Sequence, residues 1–357
     1  MPSTTMHEVP KIMKALVVLS GNRVEVTEHP VPEVREGDIL VKTVAVAQNP
    51  TDWKFVDTGR ANIGSVSGCD WSGFVVKTGT NVTSPRVGQH VAGFVMGSTF
   101  ADSGAYGDYV RTPAELSWVV PDGTLSHEEA ATMGCAFWTA AQALFHPTRL
   151  GLVEPPAKAS GEEWVYIHGG SSSVGQFGVQ LAALAGYKVI TTASQRNFDL
   201  VASLGASAVF DYNDPDVVKK VKAAAGDSIQ FAFDAVSSAD AQAISAAVIA
   251  LTGGKLIHVL PVNTAVTSRT DVERSYTLIY TSLGREFTYA TGQHWPAVPE
   301  DKEHMVQFLK KVPQLVKEGK IKPLPVKLWE GGLAAIPEGF KYMKEGKVSA
   351  VKIVYRV

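Results

Sequence analysis

Up to about residue 135, hydrophobic and polar positions alternate in short runs. "LVVLS", "RVEVTEH", "DILVKTVAVAQ", "SGFVVKTG", "QHVAGFVM" and "YGDYVRT" each read as a strand bounded by Gly, Pro, Asn or Asp. Their regular spacing and frequent glycine predict a compact β-rich barrel or sandwich. From about residue 126 the period lengthens. "SHEEAATMGCAFWTAAQALF" repeats its apolar residues at helical spacing, with Ser126 as N-cap and Glu129 three residues on, so a helix is predicted there. The stretch "HPTRLGLVEPPAKASGEE" then reads as a surface loop.

Between 164 and about 290 the pattern becomes strand then helix. "WVYIH", "KVITTA", "AVFDY", "QFAFDAV" and "KLIHVL" are continuous apolar strands, and helical segments separate them. Strands of this kind need both faces covered, which predicts an α/β fold with a doubly wound parallel sheet of nucleotide-binding type. A helical "EHMVQFLKKVPQLVKEGK" and two strand-like pieces, "KPLPVKLW" and "AVKIVYRV", close the chain. Periodicity leaves two places for those last strands: the nucleotide sheet or the first, β-rich part.

At 357 residues the chain exceeds what one core usually organises, so two domains are expected. Its composition is 45% hydrophobic and 19% charged with a net charge of −2, that of an ordinary globular protein. Lys and Arg are scattered and form no stripe for phosphates, so no nucleic-acid partner is expected. No apolar run approaches the roughly 18 to 20 residues of a membrane span, and "MPSTTMHEVPKIMKA" lacks the apolar stretch of a secretory signal. A cytoplasmic enzyme or binding protein is the expectation. The two cysteines, Cys69 and Cys135, cannot make a four-thiolate zinc site and form no C-x-x-C pair. Both are expected as buried thiols.

The chemistry begins at "YIHGGSSSVGQFG", where a strand runs through a small-residue turn into a helix. Gly170 permits the tight turn, Gly175 lets the helix approach the strand, and Ser171, Ser172, Ser173 and Val174 present small groups and backbone N–H donors to an anion. A dinucleotide pyrophosphate is the expected ligand. An NAD-preferring site would carry Asp or Glu at the end of the second strand, to hold the ribose 2′-hydroxyl. "TTASQRNFDL" offers the donors Ser194, Arg196 and Asn197 instead, with no carboxylate before Asp199. That favours a 2′-phosphate, hence NADPH. Tyr212, at the end of the third strand, reads either as a further phosphate contact or as packing, and Leu260, closing "KLIHVL", completes the cofactor candidates.

"NPTDWK" (49–54), "SGCDWSG" (67–73), "VGQHVAG" (87–93), "GAYGDYV" (104–110), the 169–175 turn, "LGASAVFDYND" (204–214) and "GKVSAVKIV" (346–354) follow one another along nearly the whole chain. In that order they resemble the medium-chain dehydrogenase/reductase superfamily. Within it the chain looks most like the zinc-free fungal enoyl reductases that act in trans with polyketide synthases, and more distantly like quinone oxidoreductases. The resemblance implies a GroES-like catalytic domain from residues 1–135 and 318–357 around a Rossmann domain of residues 136–317. The last strands would then return to the first domain. Zinc-dependent members carry a cysteine before the early Asp and a "GHE" motif; here "NPTD" and "GCDWSG" stand instead, so no zinc is expected.

The same resemblance points to catalytic candidates. Some similar reductases place a tyrosine after the Asn-Pro motif, but "KFVDTGRANIGSVSG" has none. Lys54 is the nearest alternative: buried beside a cofactor it would donate to a carbonyl or deliver a proton, and otherwise it is a solvated side chain. Asn49 reads as a turn residue or a contact to substrate or nicotinamide ribose, and Asp52 as a helix cap. Thr139 falls where the similar enzymes set a threonine against the nicotinamide. The aromatics Trp53, Trp71, Phe137, Trp138 and Trp295 are candidates for core or for the acceptor pocket, and 286–300 reads as a loop that selects the substrate. The reaction expected is NADPH-dependent reduction of an activated C=C bond in an enone or acyl thioester, with a polyketide synthase as partner and a monomer or homodimer as assembly. The rivals are a quinone oxidoreductase and a cofactor-binding partner that does no chemistry.

Overall fold

The computed structural model describes residues 9–357, so the first eight residues of the segment in which no leader was expected lie outside the described residues. The chain divides into two compact units, one running to Cys135 and resuming at Tyr280–Val357, the other Ala136–Ile279.

In the first unit β1 (Ile12–Leu19) and β2 (Arg23–Pro30) form an antiparallel hairpin. β3 (Asp38–Ala47) leads through Gln48 and Asn49 into α1 (Pro50–Asp57), with proline at the helix start, where its missing N–H costs nothing. β4 (Asp70–Thr78), β5 (His90–Phe94), β6 (Tyr109–Pro113) and β7 (Ser117–Val119) build an antiparallel sheet on β3. Its inward faces, with Leu16, Val41, Trp71 and Tyr106, form the core of this unit.

The helix expected from residue 126 is two helices. α2 (His127–Ala131) starts as predicted, with the Ser126 hydroxyl accepting the Glu129 N–H at 3.2 Å and Glu129 Oε2 accepting the Ser126 N–H at 2.8 Å. It ends because Asp70 intrudes: a Cβ at Gly134 would lie 2.3 Å from Asp70 Oδ1, and that oxygen accepts the Cys135 N–H at 2.6 Å. A side chain from β4 thereby captures a backbone donor and starts α3 (Cys135–Phe145).

The second unit alternates β8 (Trp164–His168), α4 (Ser173–Leu184), β9 (Lys188–Ala193), α5 (Phe198–Ser203), β10 (Ala208–Asp211), α6 (Val217–Ala225), β11 (Phe231–Asp234), α7 (Ala239–Ala247), β12 (Gly254–His258) and β13 (Val272–Tyr276). All six strands are parallel, in the order β10-β9-β8-β11-β12-β13. The winding direction reverses between β8 and β11, and in such sheets the crevice beyond the carboxyl ends at that point binds ligands. Tyr166, Ile190, Val221, Ile229 and Leu256 lie in its core.

From Tyr280 the chain belongs to the first unit, so the expected boundary at 317/318 moves to 279/280. The aromatic run after Ile279 explains the shift. Tyr280 packs against Phe55 and Phe94, and Tyr289 against Phe55, with centroids 5.1–5.9 Å apart. The 286–300 stretch is not a plain loop but holds a short hairpin, β14 (Phe287–Thr288) with β15 (His294–Trp295). α8 (Pro299–Leu309), α9 (Val312–Lys317), β16 (Val326–Leu328), α10 (Ile336–Lys344) and β17 (Lys352–Arg356) follow. β17 pairs antiparallel with β3, Val354 opposite Ala47, which brings the tail strands back to the first unit. No described helix is long and apolar enough to cross a membrane.

Candidate active site

β8 delivers the chain to Gly169, whose φ of +76° lies in the left-handed region that glycine adopts without strain. The turn is pinned to β9: Gly169 N–H donates to Thr192 Oγ1 at 3.0 Å and Gly170 N–H to the Thr192 carbonyl at 2.8 Å. A Cβ at Gly175 would lie 2.1 Å from the Gly169 carbonyl oxygen, so glycine there lets α4 start directly against the turn. Ser172 caps α4, its hydroxyl accepting the Gly175 N–H at 3.0 Å. In the first turn of a helix the N–H groups of Ser173 and Val174 find no intrahelical acceptor, and the helix dipole adds partial positive charge. Ser171 through Val174 are half-buried. The turn fits a pyrophosphate.

The other predicted cofactor residues lie along the same carboxyl edge. Ser194 follows β9, and its hydroxyl accepts from Asn197 Nδ2 at 3.1 Å; Arg196 between them is exposed. Tyr212 follows β10, 43% exposed, and Leu260 lies beyond β12, 45% exposed. Exposed rings and apolar side chains at a strand mouth suit a flat ring of a ligand. Thr139 is buried within α3.

Beneath this edge lies a pair that sequence reasoning missed. Asp234 ends β11 and His258 ends β12, both fully buried, with His258 Nδ1 and Asp234 Oδ2 3.0 Å apart. The other oxygen of Asp234 accepts the Val236 and Ser237 N–H groups at 3.0 and 2.8 Å and so shapes the loop after β11. His168, ending β8, bonds Tyr166 through Nδ1 at 2.9 Å, and burial lowers its pKa. The available signal was positional: titratable residues ending apolar parallel strands.

In the first unit the polar groups converge on the start of α1. Asn49 is 4% exposed, and its Oδ1 accepts from Lys352 Nζ at 2.5 Å. The same ammonium lies 2.9 Å from Asp70 Oδ2, with both side chains buried. Asp52 Oδ2 accepts from the Asn49 N–H and from the Tyr106 hydroxyl, each at 2.7 Å. Burial nevertheless raises Asp52 to about 6, and it also pushes the Cys69 thiol up. Behind them Tyr355 donates to Gln48 Oε1 at 2.6 Å, and Gln48 Nε2 donates to the Gly339 carbonyl at 3.0 Å. The Tyr280 and Thr51 hydroxyls are hydrogen-bonded, so an aromatic phenol stands beside the Asn-Pro turn.

For Lys54 and for the aromatics the structure takes one of the two readings left open, and for the cysteines it corrects the expectation that both are buried. Lys54 is exposed, its ammonium 5.6 Å from the Trp53 ring centroid. α1 buries Asp52, Phe55 and Val56, and at 100° per residue position 54 falls on the opposite face. Cys135, unlike buried Cys69, is partly exposed, and neither cysteine is in a disulfide. Trp71, Phe137 and Trp138 are core residues, whereas Trp53 and Trp295 are half-buried, Trp295 stacking on Phe287.

Two family descriptions match, "Alcohol dehydrogenase GroES-like domain" over residues 35–122 and "Zinc-binding dehydrogenase" over residues 173–284. The trans-enoyl reductase ACTTS2 of Alternaria alternata is 39% identical over 347 residues, which cover 96% of this chain and 98% of that protein. This chain belongs to the medium-chain dehydrogenase/reductase superfamily. It is an oxidoreductase with that superfamily's GroES-like and Rossmann units. Among solved structures, the CurK enoyl reductase shares the fold with a TM-score of 0.75 at 21% identity, covering 97% of this chain and 99% of that one. A mycobacterial protein solved with NADPH shares it with a TM-score of 0.70 at 22% identity, covering 97% and 100%.

One of the two descriptions carries zinc in its name, and the side chains of this superfamily member do not fit that metal. Among the described residues no three of His, Cys, Asp and Glu gather into a group able to hold one. Beside Cys69 and Asp70 the Lys352 ammonium already takes Asp70 Oδ2. A fixed positive charge there opposes a second cation.

Proposed function

We propose that this protein is a zinc-independent NADPH-dependent enoyl reductase, acting on an α,β-unsaturated acyl thioester or enone presented by a separate synthase. The observation that carries the reading is the 39% identity across nearly the whole chain to a protein named a trans-enoyl reductase. The second unit supports it: the 169–175 turn can take a pyrophosphate, and Ser194, Arg196 and Asn197 offer donors to a 2′-phosphate where a carboxylate would repel it. Tyr212 and Leu260 would flank the cofactor's rings, and Thr139 would contact the nicotinamide.

When bound, the reduced nicotinamide supplies a hydride to the β-carbon of the acceptor. Negative charge then gathers on the acceptor's carbonyl oxygen, and the chain's part is to hold that oxygen with a donor and to protonate the α-carbon. Donors aimed at a developing oxyanion in a dry site are worth far more than in water. The α-proton comes from Lys54, exposed at the end of the Asn-Pro turn, or from water. Without a Lewis acid to lower an alcohol's pKa, reduction of an already polarised double bond is the natural direction.

The test is NADPH consumption with a quinone, an enone, an enal and an α,β-unsaturated acyl thioester, with product masses recorded. A two-hydrogen gain at the thioester or enone double bond is expected. Consumption with the quinone alone would replace this reading with a quinone reductase, and a bound but inert cofactor would replace it with a non-catalytic partner.

A further inference from the structure

The Asn49 amide has one orientation open to it. Lys352 Nζ carries three N–H donors and no acceptor, so the atom 2.5 Å from it is the carbonyl Oδ1. The other end of the amide, Nδ2, is buried and has no hydrogen-bond partner among the described residues. An unmade buried donor is costly, and a ligand that accepts from it would relieve that cost.

Lys352 is itself fixed. Its side chain is 2% exposed and lies 2.9 Å from Asp70 Oδ2, and Asp70 Oδ1 is held by the Cys135 N–H at 2.6 Å. A buried ion pair adds little net stability over apolar packing of the same volume, so what this one contributes is direction. The ammonium on Oδ1 also polarises the amide and makes Nδ2–H a stronger donor.

We propose that Lys352, anchored by Asp70, is a positioning residue that locks the Asn49 amide so that Nδ2 donates to the carbonyl oxygen of the acceptor. The proposal rests on the reductase reading above. As hydride adds to the β-carbon, the π pair of the double bond moves through the α-carbon onto that oxygen. A proton then arrives at the α-carbon and the carbonyl re-forms, so Nδ2 keeps both its hydrogens.

Asn49→Asp keeps the side chain's size and gives Lys352 an oxygen to bond, but puts an acceptor where the donor was. Its kcat on the enone or thioester should fall about 100-fold, the cost of one oxyanion donor, while NADPH affinity stays within about threefold. The double variant Lys352→Met with Asp70→Asn removes both charges of the buried pair together, keeps Asn49 and removes its anchor. Its kcat should fall about tenfold or more, because a loosened donor is misplaced by a fraction of an ångström. Thermal melts establish that both variants fold. The separate readout is the infrared stretch of a carbonyl-13C enoyl ligand bound with oxidised cofactor, where no turnover occurs. The stretch should lie below its solution frequency in the wild type, and the shift should shrink in both variants.

Wild-type turnover in Asn49→Asp, or an unchanged stretch in folded variants, overturns the proposal. So does weakened NADPH binding with kcat intact at saturation, which would give Nδ2 to the cofactor. A wild type that binds the ligand with a lowered stretch, lost in both variants, yet reduces nothing sinks the reductase reading and leaves the amide assignment standing.

Discussion

At the scale of single residues, Asp52 shows how the Asn-Pro turn is held and at what cost. It accepts from Asn49 and Tyr106, yet burial keeps its carboxyl at about 6 instead of the usual range near 4. The folded state therefore holds this proton to higher pH than the unfolded chain does. The contribution of Asp52 to stability is full below about pH 4 and is lost as pH rises through about 6. Asn in its place still accepts from both partners and never ionises. Asn at position 52 should thus change little at pH 4 and stabilise the fold by about 1–3 kcal/mol at pH 7.5, the size of a two-unit shift. Urea midpoints of both proteins across that range check it, and a pH-independent difference would refute it. Only the difference isolates Asp52, because His90 runs the other way. Burial lowers its pKa to about 4, so its contribution is present above about 6.5 and lost as pH falls towards 4.

At the scale of elements, the turn into α4 was legible from the chain because its requirements are local. Small residues, a strand before and a helix after are all written within a dozen positions, and the sheet order confirms the winding they implied. The break between α2 and α3 was not legible. It depends on Asp70, from a strand more than sixty residues upstream, capturing the Cys135 N–H, and periodicity carries no trace of such a partner. The exposure of Lys54 was legible in principle, since the 3.6-residue period of α1 places it opposite Phe55 and Val56. Two glycines in α4 separate a glycine required by contact from one that is merely tolerated. A Cβ at Gly175 would meet the Gly169 carbonyl oxygen at 2.1 Å, backbone that cannot swing away, whereas at Gly178 it would meet Ile167 Cδ1 at 3.4 Å, ordinary contact. Gly178→Ala should therefore be neutral or stabilising by up to about 1 kcal/mol through helix propensity. Gly175→Ala should destabilise by about 1–3 kcal/mol and weaken dinucleotide binding by pushing α4 off the turn. Melting temperatures and cofactor titrations of the two variants, compared side by side, decide it. Equal behaviour would mean that close approach of helix to turn is unimportant.

At the scale of the whole molecule, the chain leaves the first unit at Cys135 and re-enters it at Tyr280, and the tail completes what the beginning started. Lys352 and Asn49 are 303 positions apart in sequence, which is why no motif announced their bond. Only the pairing of β17 with β3 carries it. Cofactor preference can be tested on the intact chain without any acceptor, because a ligand that binds only the folded state stabilises it. At 100 times its dissociation constant the gain is about 2.7 kcal/mol, several degrees of melting temperature for a unit of this size. A chain of two units need not melt in one step, so calorimetry resolving each transition is the suitable readout. NADPH should raise the transition of the 136–279 unit, and NADH at equal concentration should raise it less. Arg196→Ala should remove most of the NADPH shift and leave the NADH shift nearly as it was, since Arg196 would touch only the 2′-phosphate. Equal losses with both nucleotides would place Arg196 on a group they share, and the preference would then have to rest on Ser194, Asn197 or Tyr212. No shift with either would mean that the turn at 169–175, for all its fit to a pyrophosphate, serves the fold alone.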